Sequence, residues 1–226
     1  MKKHLLSLFS AFVATLALLG PAPASATIVT SGWQSQSFNF STVNASTNLS
    51  FDGFDASLGT LLGVVIKFSL NETLNDLAFN MGNSALTVGN PVKVSATSTI
   101  TASGPLGLTT VNQLTTTPYS GSVTTGLSTI GTATLSNYMV GPTQLNGNMS
   151  TLGAYIGGSN SVTIAVTGVG TQSGSLSPSV MTGYNGSANG IVYLQYIYAI
   201  PEPTMLALFA LGLLMLTATT WRRRQG

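Results

Sequence analysis

The chain has 226 residues, with 7 Lys and Arg, 5 Asp and Glu, a single His and no Cys. Five of the cations stand at the two ends, so residues 27–200 keep only Lys67 and Lys93 against Asp52, Asp55, Glu72 and Asp76, a net charge of −2. A body without His, Cys or Arg excludes Ser-His-Asp and Cys-His catalysis, His or Cys metal sites and disulfides, and two lysines cannot build the basic patch that nucleic acid needs.

The amino end reads as an address. Met1-Lys2-Lys3-His4 is a basic n-region, Leu5 to Leu19 an apolar h-region, and Ala24-Ser25-Ala26 a small-x-small site for signal peptidase. This predicts a signal peptide over 1–26 and a mature start at Thr27. The body that follows is rich in Thr, Ser, Val, Gly and Asn, a composition of strands and turns. Its 27–200 span is enough for one domain with a single core.

Ser35 to Phe40 and Asn48 to Phe51 alternate polar with apolar residues, the period of a half-buried strand. Phe51-Asp52-Gly53-Phe54-Asp55 then makes a turn. Leu58 to Asn71 is the strongest strand, with Val64, Ile66, Phe68 and Leu70 on one face and Val65, Lys67, Ser69 and Asn71 on the other. Asn71 to Asn90 reads as loop or short strands. Val92 to Thr101 is a period-two strand with a Thr-rich outer face. Strands are expected near Leu106–Leu114 and Thr129–Val140, with turns at Gly104-Pro105, Gly141-Pro142 and Asn146-Gly147. Val162 to Thr167 alternates again. Gly168 to Asn189 reads as a Gly/Ser-rich connection, and Ile191 to Tyr198, apolar on both faces, as a central strand buried on both sides.

These elements predict an all-β fold, an antiparallel β-sandwich of jelly-roll type, with a β-solenoid as the alternative. Phe54-Asp55-Ala56-Ser57-Leu58-Gly59-Thr60-Leu61, running into the long strand, resembles the opening of choice-of-anchor E domains, which carry Pro where this chain has Ala56. The Ser161-to-Thr171 strand, the Gly/Ser-rich connection and the aromatic last strand fit the same pattern. The resemblance implies an extracellular domain joined to an interchangeable sorting tail, and it carries no catalytic residues.

Four carboxylates remain to be placed. Asp52 and Asp55 flank the turn and are the candidate Ca²⁺ ligands, the only cofactor expected, against the plainer reading that they cap and solubilise it. With Glu72 and Asp76 they would make a calcium-dependent carbohydrate-binding module. A glycosidase reading would pair Glu72 or Asp76 with Asp52 or Asp55 as acid and base, with the two carboxyl groups about 5 to 9.5 Å apart. Lys67 and Lys93 read as solvent-face strand residues. Tyr193, Tyr196 and Tyr198 would form either a sugar-stacking platform or sheet-face packing.

The carboxyl end is a second address. Pro201-Glu202-Pro203 precedes an uncharged apolar run, 205–221, which is long enough to cross a bilayer as a helix, and Arg222-Arg223-Arg224 stops it. This tail, 201–226, resembles the PEP-CTERM sorting signal of Gram-negative bacteria. The resemblance implies export across the inner membrane, transient anchoring by the helix, cutting near the motif by exosortase, and delivery to the cell surface or medium. The function expected of the whole is a non-catalytic structural or adhesive surface protein, associated with exopolysaccharide or biofilm, or with further copies of itself.

Overall fold

The computed structural model describes residues 26–88 and 93–201. The chain forms two compact units, a body Thr30–Tyr198 and a unit of the two ends, of which Ala26–Val29 and Ala199–Pro201 are described. The signal peptide apart from Ala26, and the tail beyond Pro201, lie outside the described residues. Among the described residues no helix is long and apolar enough to cross a membrane.

The described residues form eleven strands in order: β1 Thr27–Thr30, β2 Gln34–Phe40, β3 Ala45–Asp52, β4 Thr60–Asn80, β5 Leu86–Val88, β6 Lys93–Ser103, β7 Thr109–Thr115, β8 Gly121–Val123, β9 Gly126–Asn146, β10 Ser159–Ser173 and β11 Val180–Ile200. One sheet runs β1-β11-β4-β9, with β2 also on β11; a second runs β3-β10-β6-β7; β5 and β8 make a small third ladder. The pairings β3-β10, β10-β6, β6-β7, β2-β11, β4-β9 and β5-β8 are antiparallel. Such pairing contradicts the solenoid alternative, whose stacked coils would pair in parallel.

The alternation seen in the sequence decides which face is buried. On β6, Val94, Ala96, Ser98, Ile100 and Ala102 point inward and the threonines between them outward. Val162, Ile164 and Val166 of β10 do the same. The inward residues of both large sheets meet in one core that includes Phe38, Phe51, Ile66, Phe68, Ile100, Ile164 and Leu194. A smaller second cluster, Ala78, Val94, Val123 and Val180, is joined by Leu86, Tyr119, Ile130 and Leu176.

Four sequence expectations need correction. The stretch after Asn71 is no loop: β4 continues unbroken to Asn80. Its outward asparagines find partners across the sheet. Asn71 Nδ2 donates to Asn189 Oδ1 at 3.3 Å and Asn75 Nδ2 to Asn185 Oδ1 at 2.9 Å, while Thr132 Oγ1 donates to Asn75 Oδ1 at 2.9 Å. Cross-strand amides thus replace the local turn bonds that asparagine otherwise favours.

The expected connection Gly168–Asn189 is likewise mostly strand, and only residues 174–179 join β10 to β11. Its glycines serve close packing: a Cβ on Gly168 would lie 2.5 Å from the Tyr184 ring, whose hydroxyl donates to Gly168 O at 2.7 Å. Gly141-Pro142 is not a turn but lies inside β9, where the register with β4 shifts between Ile66 and Phe68. β9 ends its sheet, and an edge strand accommodates a proline at a bulge. Finally, β11 is central in its sheet yet buried on one face only, because Ile191 is 37% exposed while Val192 and Leu194 are fully buried.

Tyr196 ties the sheets together. Its hydroxyl donates to Asp52 O at 2.8 Å and accepts from Asn160 Nδ2 at 2.7 Å, and burial pushes the phenol up to about 12. Tyr196→Phe removes both bonds, leaving Asp52 O only the Gln34 amide and Asn160 Nδ2 only Tyr155 O at 3.3 Å. It is expected to cost about 1–3 kcal/mol, read as a lower urea midpoint with an unchanged slope.

Candidate functional site

The structure separates the four carboxylates. Asp52 is exposed at the end of β3, and its backbone is held by Gln34, whose Nε2 donates to Asp52 O at 2.9 Å and whose Oε1 accepts from Asp52 N at 2.8 Å. Asp55 is exposed and caps the short 3-10 turn Ala56–Leu58: its Oδ1 accepts from Ser57 N at 2.9 Å. The Ser57 side chain and then its backbone hold the Asp55 carboxyl below the usual range. This is the capping role, and among the described residues no three acidic side chains gather as a metal site.

Glu72 and Asp76 behave differently. They occupy inward positions of β4, in the row Leu70, Glu72, Leu74, Asp76, Ala78, and are 3% and 1% exposed. Ser98 Oγ donates to Glu72 Oε1. Thr116 Oγ1 donates to Asp76 Oδ2 at 2.6 Å and accepts from Ala96 N at 2.9 Å. The second oxygens, Glu72 Oε2 and Asp76 Oδ1, have no hydrogen-bond partner among the described residues. Burial raises both carboxyls above their ordinary range, against the smaller opposing pull of Ser98 on Glu72 and of Thr116 and the Ala96 backbone on Asp76. Four residues along a strand put their backbone positions about 13 Å apart, too far for one small cation or for a glycosidase pair on a shared bond.

A second constellation lies on the outer face of the β11-β4 pair. The Lys67 ammonium sits 4.2 Å from the Trp33 ring centroid and 5.4 Å from that of Tyr193. The two rings meet edge to face with centroids 6.3 Å apart, and Trp33 is 40% exposed. This is a cation held between aromatic faces. It contains Lys67 and Tyr193 from the sequence reading, but the expected tyrosine trio is divided. Tyr196 is buried, and Tyr198 packs on the core with its ring 5.2 Å from Phe54.

Sequence reasoning misses Trp33, although a lone Trp after Ser31-Gly32 in a Ser/Gln-rich stretch is the kind of signal that marks an exposed anchor. Of the sorting and cleavage residues, Ala26 and Pro201 are described, and both are exposed. Ala24, Glu202, Pro203 and Arg222 to Arg224 lie outside the described residues.

No family model matches the chain, and no curated protein does. Among solved structures, a weak likeness is found to that of infectious bursal disease virus Gx strain, at 13% identity and TM-score 0.26, covering 79% of this chain and 38% of that one. The Gt strain structure gives 14% identity and TM-score 0.24 over 82% of this chain and 48% of that one. The VP2 subviral particle of the same virus gives 13% and 0.25 over 81% and 38%. The chain spans less than half the length of these structures, and a likeness this weak says nothing of what it does.

Proposed function

We propose that the chain is an exported, non-catalytic surface or matrix protein. On this reading a jelly-roll-like β-sandwich is delivered by an exosortase-cut C-terminal signal and acts by adhesion to polysaccharide or to further copies of itself. The observation that carries the reading is the junction: β11 ends at Ile200, and the Pro201-Glu202-Pro203 motif begins at the next residue. A cut at or after the motif would leave every strand intact, so sorting and folding do not compete. The supporting chemistry is negative in kind: residues 27–200 hold no His, Cys or Arg, and the two inward carboxylates are sealed among Ser, Thr and apolar groups. The test is expression of the full chain with and without exosortase, comparing fractionation and C-terminal mass. An uncut, inner-membrane product in both strains would refute the sorting claim.

The exposed Trp33 favours a second reading, glycan binding on the outer face of β11 and β4. The calcium-dependent form rests on Asp52, Asp55, Glu72 and Asp76, and it lacks support: Asp55 caps a turn, Glu72 and Asp76 are buried, and no three acidic side chains gather among the described residues. Trp33→Ala is expected to weaken binding to immobilised polysaccharide about tenfold, a loss of about 1.4 kcal/mol, with an unchanged melting temperature and no response to chelator. Equal binding by both proteins would remove this reading.

A further inference from the structure

The two hydrophobic clusters are divided by a polar layer. Along β4 the inward row passes from Leu70 in the main core, through Glu72, Leu74 and Asp76, to Ala78 in the second cluster. Along β6 it passes from Ile100 in the main core, through Ser98 and Ala96, to Val94 in the second cluster. Both strands therefore change cluster at the same level, and at that level the side chains are two carboxyls and two hydroxyls around the fully buried Leu74 and Ala96. The distal cluster holds the β5-β8 ladder and the segments around Tyr119 and Leu176. Asn80 fixes its turn, donating to Ser84 O at 2.9 Å and Val123 O at 3.1 Å.

Among the described residues no ionisable group balances the two acids. The groups facing them are Ser98 and Ala96 of β6, Thr116 after β7 and Gly131 of β9, whose Cβ position would lie 3.3 Å from Asp76 Oδ2. Among the described residues, titratable groups near the layer occur only at the rim: Lys93 is exposed at the start of β6, and Tyr119 packs half-buried on the distal cluster. An ionised carboxylate in this layer would be buried with one oxygen unpartnered, which is costly. The structure can relieve that cost by staying protonated or by parting at the layer and admitting water. Parting is the cheaper form of opening, because the distal cluster has four buried apolar members against more than twenty in the main core.

We propose that the layer of Glu72, Ser98, Asp76 and Thr116 is a proton-operated seam. It holds the distal lobe against the main core while the carboxyl groups are protonated and releases the lobe when they ionise. The device is independent of how the chain is sorted.

The test is hydrogen exchange read by mass spectrometry on the full chain in neutral detergent, each rate divided by its intrinsic rate and followed against urea. Peptides covering 116–131 and 174–181 are expected to exchange by an opening with a shallow urea slope, at least tenfold more frequent at about pH 8 than at about pH 4.5. Peptides in β10 are expected to exchange only by an opening with a steep slope. In the double variant Glu72→Gln, Asp76→Asn the pH dependence of the distal opening disappears while the slopes stay distinct. One common slope for distal and central peptides would show that there is no separate lobe, and a distal opening insensitive to pH would show that protons do not operate it. The wild-type comparison alone decides both points if the variant does not fold.

Discussion

Gly190→Ala is expected to cost about 3 kcal/mol or more, at the top of the range for overpacking, and to lower the melting temperature by about 6–12 °C. Gly190 lies in the middle of β11, between β2 and β4, and is paired with Phe38. An added Cβ would stand 1.9 Å from Ser69 O and 3.0 Å from Cε1 and Cζ of the Phe38 ring. The ring has some freedom to turn. The carbonyl has little, because it belongs to the backbone of β4, and shifting it disturbs the ladder between the two most central strands. Gly183→Ala in the same strand is the control. Nothing stands within 4 Å of its Cβ position, and the change is expected to fall within about 0.5 kcal/mol of neutral. Far-ultraviolet circular dichroism melts of the two variants decide the matter. Melting of Gly190→Ala within about 2 °C of wild type would mean that β4 and β11 do not approach as closely as described.

What the sequence reveals here depends on how far hydrophobic periodicity reports burial. The first half of β4, β6 and the Val162-to-Thr167 part of β10 are legible because apolar residues occupy alternate positions and threonine fills the rest. The second half of β4 has the same period, but its inward row includes Glu72 and Asp76 and its outward row Asn71 and Asn75. Acids in the buried row cancel the hydrophobic signal, and asparagines suggest a turn. Only the partner amides Asn185 and Asn189, more than a hundred residues away, show that these positions are paired in a sheet. The same non-local logic hides the C-terminal part of β10 and the N-terminal part of β11: Gly168 and Gly170 of β10 and Tyr184 of β11 look like a loop until the ring is seen to fill the space left by the glycines. The Trp33 cluster also depends on pairing, since Lys67 and Tyr193 become neighbours only when β4 lies beside β11.

The body is also expected to be most stable in acid, against the usual behaviour of proteins whose carboxylates are paired. Glu72 and Asp76 have folded-state values above their ordinary 4.5 and 3.8, with burial as the leading cause. Between the unfolded and folded values the native state therefore binds more protons than the unfolded chain, and stability must fall as pH rises through that window. The contribution is fully present below the unfolded values and is lost once pH passes the folded ones. For each pH unit between the two values a group withdraws about 1.4 kcal/mol, or about 3–6 °C of melting temperature in a body of this size. Asp55 acts in the opposite sense, since its lowered carboxyl favours the fold above its unfolded value, but it is fully exposed and screened by water. Melts between about pH 4 and pH 8 should show the decline. Replacing the Glu72–Ser98 pair by apolar groups, Glu72→Met with Ser98→Ala, should remove its share of the decline while holding or raising the melting temperature at neutral pH, because the hydrogen-bonded pair is exchanged whole; the Asp76 pair is left in place, since Thr116 Oγ1 also accepts from Ala96 N and its loss would orphan that buried amide. A wild-type melting temperature that climbs from pH 4 to pH 8 would mean that these two acids are paired or hydrated in the native protein.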